Sequence, residues 1–221
     1  MRTTAGDLLP KFSVSTKVGF FPEGHGLDPA RVLGAAEQAA KDLGREPDLV
    51  FLHNPEHSAP DAETLEQACT ALADAAQAGL CRSWGVSTWD PRSLTDFDVP
   101  CPDVLMVRAG LLVGVDVLEA AEALAMRWCP SQVWGMSPFG GSTTEVVWDR
   151  FDPRIFLRDS PSATKIQAAF RSSYGLPQVD AVAVGTDDVD HLRELTEALA
   201  YEVDENVIRE YRRLLKGRQR A

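Results

Sequence analysis

Two stretches decide the reading of this chain: Phe12-Ser13-Val14-Ser15-Thr16-Lys17-Val18-Gly19 and Asp48-Leu49-Val50-Phe51-Leu52-His53-Asn54-Pro55-Glu56. Each is a short strand pattern that ends on one ionisable side chain and runs into a loop containing Gly or Pro. In βα proteins the carboxyl ends of strands display the reactive groups, because variable loops emerge there from a rigid sheet. Lys17 and His53 are therefore the candidate catalytic residues.

Outward from these strands the pattern alternates. Phe12 to Thr16 reads as the first strand and Gly19 to Gly26 as a Gly/Pro-rich loop. Asp28 supplies an N-cap and Pro29 a first helical position; Ala and Leu then recur at helical spacing until Gly44 closes the helix. Leu49 to His53 is the second strand, and Ala62 to Ala78 an Ala/Leu helix stopped by Gly79. Further strands read at Arg82 to Ser87, Val104 to Val107, Gln132 to Ser137 and Asp180 to Val184. Further helices read at Pro91 to Asp96, Val115 to Met126, Ser162 to Tyr174, Val189 to Ala200 and Glu205 to Leu215. Strict alternation with short connections implies parallel strands and right-handed crossovers. The expected fold is α/β and TIM-barrel-like but incomplete, with about six parallel strands and surrounding helices, in a single domain over residues 1–221. No G-x-G-x-x-G follows any strand, so the main sign of a Rossmann sheet is missing.

Composition narrows the partners. At 221 residues and 44% hydrophobic, the chain can bury one sizeable core. A formal charge of −11 disfavours nucleic acid and anionic membranes. Cys69, Cys81, Cys101 and Cys129 form no C-x-x-C and read as reduced thiols. The four histidines show no H-x-x-x-H spacing, and no metal is expected. No stretch approaches the roughly 20 apolar residues of a membrane span, and no signal-peptide core opens the chain. The expectation is a cytoplasmic protein acting on a small molecule.

Five segments, in order, resemble aldo-keto reductases: Ser15 to Gly19, Asp48 to Glu56, Ala78 to Ser87, Met136 to Gly140 and Val182 to Leu199. The resemblance implies a barrel with its site at the carboxyl ends of the strands. It also implies NADPH as cofactor and carbonyl reduction by a Tyr proton donor supported by Lys, His and Asp. Lys17 and His53 match that Lys and His. The Tyr and Asp belong to a βαβα segment that precedes the Lys strand in the family. Only eleven residues precede Phe12, so a shortened member without that segment is expected. Ser87, Thr88, Ser137 and Gly185 match cofactor-contacting positions. Several of these depart from the family: Ser87-Thr88 replaces Ser-Asn, Met136 replaces the stacking aromatic, and Asp187-Asp188 stands where a base contacts the 2′-phosphate.

Arg108 ends an apolar strand and needs an anionic partner, either a nearby carboxylate or a substrate group. Trp89, His25 and Met136 join it as candidate substrate contacts. A Lys beside apolar walls loses affinity for its proton and can serve as base, acid or carbonyl nucleophile. The expected function is therefore Lys/His acid–base chemistry on a small carbonyl compound, such as dehydration, isomerisation or cyclisation, without a cofactor. The alternatives are a shortened NADPH-dependent oxidoreductase and a non-catalytic binding subunit. Six strands leave two edges, at Phe12 and Val182, to be covered by a homodimer, another partner, or the chain's own termini.

Overall fold

The computed structural model of the protein describes residues 6–144 and 146–219. Eight strands occur among them: β1 (Ser15–Val18), β2 (Phe20–Phe21), β3 (Gly24–His25), β4 (Leu49–His53), β5 (Trp84–Thr88), β6 (Val104–Arg108), β7 (Gln132–Met136) and β8 (Ala181–Ala183). Six of them form one sheet in the order β1-β4-β5-β6-β7-β8, and β2 with β3 forms a separate hairpin. The β1/β4, β4/β5 and β7/β8 ladders are parallel. Strand order follows chain order and ends on β1 and β8, so this is an incomplete (β/α) barrel sheet rather than a closed one.

Seven α-helices accompany the strands: α1 (Pro29–Leu43), α2 (Ala62–Gln77), α3 (Val115–Trp128), α4 (Val147–Arg150), α5 (Lys165–Ser172), α6 (Val189–Ala198) and α7 (Glu205–Gln219). Their ends follow the expected chemistry. Asp28 accepts the N–H of Arg31 at the start of α1, and Gly44, at φ 70°, closes it in the left-handed conformation. Asp61 caps α2 through the N–H of Thr64. α5 begins at Lys165, later than Ser162, because Thr164 and Gln167 form a reciprocal capping box there.

The first strand is the clearest displacement from the sequence reading. Leu9, Val14 and Leu43 pack together before the sheet begins, and Asp48 accepts the N–H of Val14. Pairing with β4 therefore starts at Ser15, and Lys17 lies inside the strand instead of following it. The loop from Gly19 to Gly26 also contains the β2–β3 hairpin, in which Phe20 faces His25. Strands of two residues leave no readable alternation.

The chain divides into two compact units. The first runs to Met106 and includes Leu124–Gln132; the second holds Val107–Ala123 and the chain from Val133 onward. In the first, α1 and α2 contact each other and the sheet over a core that includes Val50, Phe51, Leu52, Leu65, Leu72 and Val86. In the second, Leu111, Leu118, Phe156, Leu176 and Ile208 share a core cluster. There α7 is tied down by Tyr211, whose hydroxyl donates to the Leu111 carbonyl at 2.5 Å. Arg212 adds a two-pronged pair to Glu122, with both contacts at 2.6 Å. Cys69 and Cys81 are buried, which pushes their thiols up to about 12 and about 11, out of reach of thiolate chemistry. Among the described residues no helix is long and apolar enough to cross a membrane.

Candidate active site

Register places the reactive groups. Lys17 pairs with Phe51, Phe51 with Gly85, and His53 with Ser87. Residues paired across parallel strands share a face, as do residues two apart, so Lys17, Phe51, His53, Gly85 and Ser87 all project from one side of the sheet. Gly85 is required there. A Cβ at that position would lie 2.3 Å from the Val104 carbonyl oxygen and 3.0 Å from the Phe51 ring. Phe51 therefore settles over Gly85, and Lys17 extends across β4 to donate from Nζ to Ser87 Oγ at 2.9 Å.

Lys17 is an exposed residue whose amine lies in a part-buried spot, and this desolvation lowers its pKa. His53 falls further, to about 4, through burial first and then the positive charges of Lys17, His25 and His57. At neutral pH it is an uncharged imidazole able to accept a proton.

The hairpin and the turn after β4 complete the group. His25, on β3, stacks on His57 with ring centroids 4.8 Å apart and lies 5.2 Å from His53. Phe20 meets both His25 and His53 edge-on, and remains 63% exposed. Burial and His57 lower the pKa of His25, while Glu56 opposes them. Asn54 sits at φ 45° and donates its N–H to the Ser87 carbonyl at 2.7 Å, turning the chain into the 3-10 turn Pro55–Ser58. Glu56, in that turn, accepts the N–H groups of Trp89 at 2.7 Å and Asp90 at 3.0 Å. It braces the exposed Trp89 indole beside β5.

Among the described residues, His25 Nε2, Asn54 Oδ1, Glu56 Oε2, Ser58 Oγ and Thr88 Oγ1 are buried without a hydrogen-bond partner. Such atoms cost free energy in a folded protein and concentrate at sites of function. No group of three or more His, Cys, Asp or Glu among these residues is arranged to hold a metal ion.

The expected residues thus fall into two sets. The first unit brings together Lys17, His53, His25, Ser87, Thr88 and Trp89. Sequence reasoning passed over Glu56 and Phe20 as parts of this site. Its one available signal was their position in the loops that follow β1 and β4. Arg108, Met136, Ser137 and Gly185 belong to the second unit. Arg108 ends β6 half-buried, and Met136 ends β7 opposite Ala183. Ser137, at φ 56°, and Gly185 line a cavity of about 360 Å³ together with Thr186, His191 and Glu194.

Charge in and beside that cavity opposes a phosphate. The Asp188 side chain already accepts the N–H groups of Asp190 and His191 at the start of α6, the donors an anion would use. Glu194 adds a carboxylate to the wall. The tyrosines, Tyr174, Tyr201 and Tyr211, all lie in the second unit, whereas Lys17 lies in the first.

Comparison with known proteins follows the same lines. The sequence model of the Aldo/keto reductase family matches residues 7–109. No curated protein sequence matches the chain. Among solved structures, the holo form of aldo-keto reductase AKR11C1 from Bacillus halodurans superposes with a TM-score of 0.70 at 18% identity, over 96% of this chain and 76% of its own. An aldo-keto reductase from Klebsiella pneumoniae in complex with NADPH gives 0.69 at 16% identity, over 96% and 73%. An aldo/keto reductase from Brucella melitensis gives 0.66 at 14% identity, over 96% and 77%. At these identities the likeness establishes the fold.

Proposed function

Residues 7–109 of this chain carry the sequence of the aldo/keto reductase family, within the family's fold, and from that premise we propose that it catalyses proton transfer on a small carbonyl compound. The observation that carries the reading is the pairing of a part-desolvated Lys17 amine, bonded to Ser87, with a His53 held neutral on the same sheet face. His53 takes a proton from the carbon beside the carbonyl. Lys17 and Ser87 receive the negative charge that develops on the carbonyl oxygen. General acid–base catalysis of this kind supplies roughly 10²–10⁴-fold in rate without a hydride donor. Dehydration, isomerisation and cyclisation all begin with this step. Phe20 and Trp89 flank the site as exposed aromatic walls. No step is routed through NADPH, because Asp188 and Glu194 oppose its phosphate.

The test is deuterium uptake. Small α-hydroxy ketones and aldehydes are incubated with the protein in heavy water and followed by proton NMR. Protein-dependent loss of the α-proton signal is expected, and Lys17→Ala and His53→Gln should each slow it by about 10² or more. Equal rates in wild type and both variants would refute the assignment.

A second reading is NADPH-dependent carbonyl reduction. The likeness to a fold solved with NADPH favours it, and nucleotide oxidation by the same carbonyl compounds would select it.

A further inference from the structure

We propose that Lys17 engages its carbonyl substrate covalently, as an imine, rather than only through a hydrogen bond. The inference deepens the acid–base reading above and rests on it.

The surroundings of the amine carry the argument. Among the described residues Lys17 Nζ has one hydrogen-bonding partner, the neutral hydroxyl of Ser87, and no ion pair with a carboxylate. Three of the four other lysines are committed differently, Lys11 being the exception. Lys41 and Lys216 pair with Glu37 and Glu119, and Lys165 donates to the Trp148 carbonyl at 3.0 Å. The groups closest in kind to Lys17 are imidazoles: His53 two residues beyond its register partner, then His25 and His57. A charged ammonium meets like charge there whenever an imidazole is protonated. An uncharged amine meets no such penalty. Desolvation of the part-buried amine lowers its pKa and so raises its uncharged fraction. Because Lys17 is exposed, a substrate can reach it and released water can leave.

The chemistry closes without any further reagent. The Nζ lone pair attacks the carbonyl carbon, a C–N bond forms, and the π pair moves to oxygen. His53 accepts a proton from the now positive nitrogen and returns it to the oxygen. A second proton, drawn by the imidazole from solvent, lets that hydroxyl depart as water while the C=N bond forms with its remaining N–H proton in place. One carbonyl oxygen leaves as one water, and nothing is oxidised or reduced. The protonated imine then acidifies the neighbouring C–H, and His53, neutral again, is placed to take that proton. Ser87 holds the amine in place and orients its lone pair toward the exposed side.

The full-length protein is incubated with glycolaldehyde and sodium cyanoborohydride, which reduces protonated imines to stable secondary amines, and digested for peptide mass spectrometry. The expected result is one adduct per chain, on Lys17, with label several-fold above that on Lys11, Lys41 or Lys216, since its lowered pKa leaves more of the amine uncharged. His53→Gln should slow labelling while leaving its position unchanged. Lys17→Arg, which keeps charge and length, should remove the adduct with an unchanged circular dichroism spectrum. Label spread evenly over the exposed lysines, or absent from Lys17, overturns the proposal. If α-proton exchange persists without an adduct, the imine is refuted and the acid–base reading stands. If both exchange and adduct are missing, both fall.

Discussion

His53 departs furthest from its ordinary behaviour among the residues of the site, and the sign of that departure is testable. An unfolded histidine titrates near 6.5, whereas folded His53 is held near 4. Between those values the unfolded chain binds more protons than the folded one, so stability falls as pH drops from about 6.5 to about 4. Thermal melting across this range should show the decline, and His53→Gln should flatten it. The acid limb of the exchange rate should likewise fall near pH 4 rather than near 6.5. Glu56 is a positioning residue in the same site. Glu56→Ala leaves the N–H groups of Trp89 and Asp90 without their acceptor. It should cost about 2 kcal/mol and shift Trp89 fluorescence to the red, while Glu56→Gln should restore most of both. Lys17 and His53 were legible because each closes a strand pattern. Glu56 was not, since nothing in a Pro-Glu-His-Ser loop announces that its carboxylate reaches residues 33 and 34 positions away.

At the level of elements, the site depends on one close approach. Gly85 lets Phe51 lie over β5, and that lets Lys17 reach Ser87. Gly85→Ala should destabilise the protein by about 3 kcal/mol, because the intruding methyl meets a backbone carbonyl that has nowhere to move. Denaturant unfolding measures the loss, and a change below about 0.5 kcal/mol would contradict this geometry. Most elements could be read from the chain. β4 spans Leu49–His53 as its continuous apolar run indicated, and the Asp28 and Gly44 caps sit where their chemistry placed them. The hairpin from Phe20 to His25 could not be read, because its order comes from ring contacts with His53 and His57, which are distant in sequence. The same holds for α4, a four-residue helix with no side-chain cap to mark its start.

For the whole molecule, the sheet order leaves β1 and β8 as its outermost strands. Ser15 and Lys17 on β1 are exposed. We propose that the open edges are covered by a second copy of the chain, since unpaired ladder groups invite strand addition. Light scattering coupled to size exclusion should report a dimer. A monomer whose β1 amides exchange rapidly with solvent would contradict this. The α/β class and the family resemblance were readable because alternation and motif order extend along the chain. The grouping of residues into two compact units was not, because it arises from packing between segments far apart in sequence.

One sample tests the central claim most directly: wild-type protein, a small α-hydroxy ketone and NADPH together in heavy water, with deuterium incorporation and nucleotide absorbance followed at once. The account predicts that deuterium enters the α-carbon while NADPH stays unconsumed, at the same rate as when the nucleotide is left out. Steady oxidation of NADPH with no α-exchange would contradict it and identify a reductase instead.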